Sequence, residues 1–391
     1  MLRIILKFSL IAVGFLAGPG VIFLLPYIMP ADSYANFAKV LTFSQMLALV
    51  SGLGLEIAGA RFNIAIVRVT KIILLTTSIS SVLLFIIFPG TTSEQKLIVW
   101  CIAFTTVLST VYQSYFLFRG QALIYGLYGL LRSSIMLVSL IILLKWKVEV
   151  VLSYGVATII GFSVSLLLVN KNIKVSLNEK NYDFKYLIKA SMPFFIINGV
   201  AVLPIILDRL MAQQNLVSTE FSKYIVVTTW AVPIMYIGNI YQQFIISHFD
   251  LFSLKALFKK NLILLVVNTT YIILVVAITD KIVQVPYFKS SADFVPIWLL
   301  VSGWYTVYSA VAFPAAAYVQ RRLEESMVQK LAWWTAGLLP LALSIAYFTA
   351  SNQWSHVGMF AAAIFSSVFA SLILVPRIFF VQRDLTKNVS D

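Results

Sequence analysis

Long apolar runs, separated by short charged or Pro/Gly-containing connections, make up most of this chain of 391 residues. Most runs hold about twenty residues, enough for an α-helix to cross a hydrocarbon core of roughly 30 Å. Because the runs are continuous and do not alternate between apolar and polar, they favour helices over the strands of a barrel. The pattern predicts twelve transmembrane helices, at 5–29, 38–60, 71–89, 97–118, 121–144, 149–169, 187–211, 221–246, 261–279, 293–318, 328–349 and 354–380.

A short motif occurs twice along the chain. The segment 33–39, SYANFAK, returns as 218–223, STEFSK, and the Phe and Lys of the two copies are each 184 residues apart. Such internal similarity is typical of transporters built from repeats. We therefore predict an all-α integral membrane protein of two pseudo-symmetric six-helix lobes, 1–185 and 186–391, with a cytoplasmic linker at 170–185.

Composition excludes a soluble protein. Hydrophobic residues make up 60% of the chain and charged residues 11%, with a mean hydropathy of +0.93, whereas soluble domains have about 25% charged residues. The net charge is +14, but the Lys and Arg lie in short loops, so we expect membrane lipids and not nucleic acid as a partner. Twenty of them share the side of the amino terminus, and seven lie on the other side. Both termini are therefore predicted to be cytoplasmic.

Nothing in the sequence indicates a catalytic or metal site. The single cysteine, Cys101, excludes an intramolecular disulfide, and His248 and His356 are in no metal-binding spacing. No connection between predicted helices exceeds about sixteen residues, so there is no room for a catalytic domain outside the membrane. We expect no enzymatic activity, no metal and no cofactor.

Tryptophans fall near predicted helix ends on the outer side. Such residues commonly form a belt at the membrane interface. The four expected there are Trp100, Trp146, Trp298 and Trp354.

Four ionisable residues lie within or at the ends of predicted spans, where lipid would penalise them: Glu56, Arg132, Asp208 and Arg209. Arg132 lies about twelve residues into its helix, near the midplane, and we expect it to line a polar cavity. An internal ion pair, with Glu56 as one candidate partner, is the alternative. Interface anchoring is an equal alternative for the adjacent Asp208 and Arg209.

Two stretches resemble polysaccharide transporters of the multidrug/oligosaccharidyl-lipid/polysaccharide exporter superfamily. In the first, a turn at 31–35 is followed by a helix that ends at Gly52-Leu53-Gly54-Leu55, before Arg61. In the second, the run from Met192-Pro193 to Asp208-Arg209 is similar to the seventh helix of O-antigen (Wzx-type) flippases.

The resemblance implies transfer of an undecaprenyl-pyrophosphate-linked oligosaccharide across a bacterial inner membrane by ion-coupled alternating access. It makes Arg132 and Arg209 candidates for binding this anionic substrate, and Glu56 and Asp208 candidates for ion coupling. Whether a polysaccharide polymerase and a chain-length regulator act beside the protein stays open.

Other functions remain in competition. A multidrug exporter of the same architecture is not distinguished by these residues. A membrane-embedded polysaccharide polymerase would usually have a large outer loop, which is not found between the predicted helices, and a non-transporting scaffold would not need an arginine at the midplane.

Overall fold

The structure is a computed structural model that describes residues 22–23, 25–87, 92–170, 182–247 and 254–284, together with scattered residues from 288 to 333. The chain divides into two compact units, Met1–Phe195 and Ile196–Asp391. The boundary between them lies within one long helix.

The first unit is built from helices alone in the part that the structure describes. Its core surrounds one central helix, α4, which packs against α1, α2, α3, α5 and α6. The helices are α1 (Ala31–Gly52), α2 (Leu55–Arg61), α3 (Ile66–Ile87), α4 (Ser93–Phe118), α5 (Ala122–Lys145), α6 (Val150–Asn170) and the first turns of α7 (Phe184–Asn215).

The second unit contains the rest of α7, then α8 (Ser218–Ser247), α9 (Leu254–Ala277) and the single-turn α10 (Thr279–Ile282). Beyond α10, the described residues between 294 and 310 are helical, and we call this stretch the 294–310 segment. Predicted spans that begin at 5, 293, 328 and 354 lie wholly or mostly outside the described residues.

Four helices in the described part are long and apolar enough to cross a membrane, and the bent pair α1–α2 passes the same test when its two helices are taken together. Their lengths follow the predicted runs closely, since α4, α5 and α6 end within one residue of the predicted ends. The lipid-facing side of α5 shows why these runs are apolar: Leu127, Val138 and Ile141 are exposed on it. The prediction of these spans is therefore confirmed.

Two details of the predicted span 38–60 are wrong. The stretch 31–35, expected as a turn, is the beginning of α1, with the preceding Pro30 as its N-cap residue. The predicted continuous helix is broken after Gly52, because Leu53 and Gly54 adopt left-handed φ values of 47° and 72°, and α2 continues with a bend of 40°. The break frees carbonyl groups, and the Thr76 hydroxyl of α3 donates a hydrogen bond of 2.7 Å to the Ser51 carbonyl.

The tryptophans expected in the belt differ in their burial. Trp146, at the end of α5, is 74% exposed, as an interfacial residue would be. Trp298 is 0% exposed and stacks on Phe294 in the second unit. Its aromatic neighbours enclose it in the core of the second unit. Trp354 lies outside the described residues.

Candidate functional site

Arg132 is the eleventh of the 24 residues of α5, close to the middle of the helix. One turn before it lies Tyr128 and one turn after it Met136, and both are buried. The exposed apolar residues of α5 occupy the other side of the helix. Arg132 is therefore directed toward the interior of the unit, and it is only partly buried there.

The guanidinium of Arg132 is held by α4. Its Nη1 donates a hydrogen bond of 2.6 Å to Ser109 Oγ, and the Tyr128 hydroxyl lies 3.2 Å from the same oxygen and donates to it. Within the described residues Arg132 takes part in no ion pair, so the alternative of pairing with Glu56 is not seen. A guanidinium has five N–H donors. The bond to Ser109 uses one of them.

A glycine sets the distance between α5 and α6 at this level. A Cβ built on Gly161 of α6 would lie 2.8 Å from the Arg132 carbonyl oxygen and 3.0 Å from Met136 Cβ. Small residues allow membrane helices to approach closely in this way. Gly161 therefore contributes to the placement of the Arg132 backbone, although it does not touch the guanidinium.

The carboxyl-terminal half of α4 has a polar accessible face beside Arg132. Thr106, Thr110, Gln113 and Ser114 recur at helical spacing, and all are partly buried or exposed. Thr106 and Gln113 lie one turn on either side of Ser109, which holds Arg132. Lipid favours apolar side chains at such positions. This face is therefore suited to a polar cavity.

Sequence reasoning identified Arg132 but missed Ser109, Tyr128 and the polar face of α4. The signal for the face was available, since hydroxyl and amide residues recur between 105 and 114 in a run that is apolar before and after them. No local signal pairs Ser109 with Arg132, because the two residues lie on different helices, 23 residues apart.

Glu56 lies in the first turn of α2, directly after the helix break. Its carboxylate is turned back toward α1: a Cβ built on Gly52 would lie 3.0 Å from Glu56 Oε2. Glu56 and Arg132 are thus two separate features of the first unit, one at the break and one on α5.

The other two predicted residues lie in the second unit, on α7. Arg209 is partly buried. The side chain of Asp208 is outside the described part of the structure. Their roles stay predictions. No group of three or more His, Cys, Asp or Glu side chains among the described residues is placed to hold a metal ion.

The types of side chain at this site indicate which ligand groups it can bind. They are Arg132, its hydroxyl neighbours and the polar face of α4. A guanidinium binds carboxylate or phosphate oxygens through two parallel hydrogen bonds, which lysine does not do. Hydroxyl and amide side chains both donate and accept, so they suit neutral polar groups such as sugar hydroxyls. The arrangement favours a ligand that carries an anionic group and uncharged polar groups.

Comparison with known proteins gives a likeness of fold. No protein-family model and no curated protein matches the chain. Solved structures of MATE do: one in the straight conformation has a TM-score of 0.70 at 12% identity, and covers 97% of this chain and 96% of that chain. A complex of MATE with MaD5 has a TM-score of 0.63 at 15% identity, over 97% and 96% of the two chains.

A third similar structure is the outward-facing conformation of a multidrug resistance MATE family transporter of the MOP superfamily, with a TM-score of 0.62 at 14% identity over 98% of this chain and 97% of that chain. At these identities the likeness shows the fold alone. The chain is an all-α integral membrane protein with the MATE fold, of about twelve transmembrane helices in two pseudo-symmetric six-helix lobes.

Proposed function

We propose that this protein is an ion-coupled membrane transporter that exports an amphiphilic molecule by alternating access. The observation that carries the proposal is the likeness to MATE structures over 97% of the chain at a TM-score of 0.70. Because one of the similar structures is a multidrug resistance transporter, export of small amphiphilic compounds is the first candidate.

Arg132 supports a second candidate. A cation held near the midplane repels cationic compounds and attracts anionic ones, since charge interactions are strong where water is scarce. A pyrophosphate presents the oxygens that a guanidinium fork holds, and the polar face of α4 suits a glycan. Transfer of an undecaprenyl-pyrophosphate-linked oligosaccharide to the outer leaflet, as in O-antigen and lipopolysaccharide synthesis, fits both features.

Within this proposal the roles are divided among four residues. Arg132 and Arg209 bind the anionic part of the substrate, and Glu56 and Asp208 couple transport to an ion. Glu56 is well placed for such a role because it follows a broken helix, and interrupted helices in transporters are frequent ion and substrate sites. A polysaccharide polymerase and a chain-length regulator are further partners in the second candidate alone.

Two complementation assays distinguish the candidates. The chain is expressed in one bacterial strain that lacks its lipid-linked oligosaccharide flippase and in another that lacks its drug exporters. Restored surface polysaccharide supports the second candidate, and restored drug resistance supports the first. If neither phenotype is restored at normal protein abundance in the membrane, both candidates are rejected.

Arg132 variants then test the site. With an anionic substrate, Arg132→Ala should abolish export at an unchanged level of membrane protein, and Arg132→Lys should keep part of it, because lysine retains the charge without the fork. Arg68→Ala, an arginine near the start of α3, is the matched control and should export normally. Full export by a well-expressed Arg132→Ala variant would remove Arg132 from the mechanism.

In the proposed orientation the protein lies in a bacterial inner membrane, with both termini on the cytoplasmic side. This orientation rests on the twenty-to-seven distribution of Lys and Arg. Reporter fusions after residues 92, 216 and 352 should report the outer side, and fusions after 65, 178 and 326 the inner side. One inverted fusion would change the number of spans between it and its neighbour, and with it the equivalence of lobes 1–185 and 186–391.

A further inference from the structure

Among the described residues of the second unit, the buried polar atoms without a hydrogen-bond partner include Asn268 Oδ1 on α9, and Trp298 Nε1 and Ser302 Oγ on the 294–310 segment. All three residues are 0% exposed. Polar atoms buried in native proteins are bonded with few exceptions, and an exception calls for an explanation such as water or an ion.

The three residues lie along one contact between two helices. Asn268 Nδ2 donates a hydrogen bond of 2.8 Å to Ser309 Oγ, and the Tyr271 ring meets the Trp298 ring at 6.4 Å. Trp298, Ser302 and Ser309 recur at helical spacing and so share one face of the 294–310 segment. Ser302 lies between the two points at which this face meets α9.

The hydrogen bonds around Ser309 determine which way the Asn268 amide points. Ser309 Oγ donates its single proton to the Thr306 carbonyl at 3.0 Å. In this arrangement it accepts from the Asn268 amide nitrogen. The amide oxygen of Asn268 is left as an acceptor without a donor.

The unpaired atoms form a mixed set: an acceptor in Asn268 Oδ1, a donor in Trp298 Nε1, and a hydroxyl that can do either in Ser302. Water matches such a set, because it donates and accepts, and buried waters typically bridge two to four otherwise unpaired groups. A bare cation matches it poorly, since the indole N–H has no lone pair to offer and none of these residues carries a negative charge.

We propose that the contact between α9 and the 294–310 segment is an internal water site, bounded by Asn268, Trp298 and Ser302. The two helices are then joined partly through solvent, in a region where the outer face of α9 is apolar. The site is independent of the substrate that the protein carries.

Two radical sources test the proposal on the purified full-length protein in detergent. X-ray radiolysis activates water wherever it is bound, whereas radicals made chemically in bulk solvent do not reach a residue of 0% exposure. Trp298 should be oxidised by X-rays and spared by bulk radicals, while the exposed Trp146 should be oxidised by both. Protection of Trp298 under both treatments would overturn the proposal without any variant.

Variants locate the water. Oxidation of Trp298 by X-rays should fall severalfold in the double variant Asn268→Leu with Ser302→Ala, because the remaining groups are too few to hold water. Thr270→Val is the matched control on α9, since its hydroxyl is exposed and bonds the Val266 carbonyl of its own helix. Trp298 oxidation should be unchanged in that control, and an equal fall in both would contradict the assignment.

A cation is tested separately. If NaCl raises the melting temperature of the wild type above an equal concentration of choline chloride, and Asn268→Leu abolishes the difference, the occupant is a sodium ion and the water assignment is wrong. Equal melting temperatures in the two salts support water.

Discussion

The span α1–α2 in the first unit and α8 in the second begin alike and continue differently. Each begins near one copy of the repeated motif, and its phenylalanine, Phe37 or Phe221, is 2% exposed in both. Further along, α1 stops at Gly52 and restarts bent as α2, whereas α8 runs from Ser218 to Ser247 with Pro233 inside it.

Different residues cause the break and the kink. Leu53 and Gly54 both have left-handed φ values, which end an α-helix. Gly238, 184 residues after Gly54, stays helical in α8. Pro233 lacks only its N–H and strains the preceding turn, so a helix packed in a membrane protein can continue past it.

A hydroxyl from another helix bonds a carbonyl next to each irregularity. The carbonyl that loses its helical donor to Pro233 itself is that of Thr229, and Trp230 lies in the same turn. The hydroxyl of Thr76 on α3 bonds the Ser51 carbonyl at 2.7 Å, and the hydroxyl of Tyr271 on α9 bonds the Trp230 carbonyl at 2.8 Å. In each case the long helix that follows in the chain supplies the donor. Lipid provides no donors, so a freed carbonyl needs a partner in the protein. The two spans thus share the need for a donor to a backbone carbonyl, and a threonine meets it in one span and a tyrosine in the other.

The largest effect is expected for Gly54→Ala. At this φ of 72° an added Cβ would lie 2.5 Å from Phe195 N and 2.9 Å from Phe194 Cβ, and it would also collide with the Ser191 carbonyl oxygen. We expect a loss of about 1–2 kcal/mol from the left-handed backbone and about 1–3 kcal/mol more from the clash with α7. The fall in melting temperature in detergent measures the sum of these two losses.

Gly120→Ala separates these two contributions. Gly120 has the same φ of 72°, and an added Cβ would meet nothing within 4 Å. It should therefore lose only the backbone part. Equal melting temperatures for the two alanine variants would show that the break in α1–α2 is not packed against α7 as described.

A smaller effect is expected for Tyr271→Phe, which removes the donor to the Trp230 carbonyl and keeps the ring. The loss should be about 1 kcal/mol, within the range found for hydrogen bonds between membrane helices. The double variant Tyr271→Phe with Pro233→Ala tests whether the proline kink is what makes this hydrogen bond stabilising. The N–H that Pro233 lacks would bond the Thr229 carbonyl, and the regular donor to the Trp230 carbonyl is the N–H of Ile234, in the same strained turn. If the strain weakens that Ile234 bond, Pro233→Ala should restore it and reduce the cost of losing the tyrosine hydroxyl, and additive losses would contradict this.

The smallest effect is expected for Thr76→Val, which removes the donor to the Ser51 carbonyl with little change of shape. We expect a loss of about 0.6 kcal/mol, the average for such a bond. Thr70→Val on the same helix is the control, because its hydroxyl bonds the Ile66 carbonyl of α3 itself. A control that loses as much as Thr76→Val would mean that the bond between helices adds nothing.

The sequence by itself determined the class of protein and the extent of the described spans, because a run of about twenty apolar residues has one stable conformation in lipid. It also located Arg132 near the middle of a span, since depth depends only on distance along the helix. The resemblance to polysaccharide transporters marked Gly52-Leu53-Gly54-Leu55 as a helix end, where glycine permits left-handed backbone. The hydropathy pattern alone ran through it as one span, 38–60.

Only the tertiary structure decided which groups meet. The partners of Arg132, Ser51 and Trp230 lie 23, 25 and 41 residues away along the chain. The burial of Trp298 likewise follows from the packing of Phe294 and Tyr271 against it. Hydropathy and helical periodicity describe one helix at a time. Which faces of two helices come together depends on the packing of the whole unit, and the hydrogen bonds of the site follow from that packing.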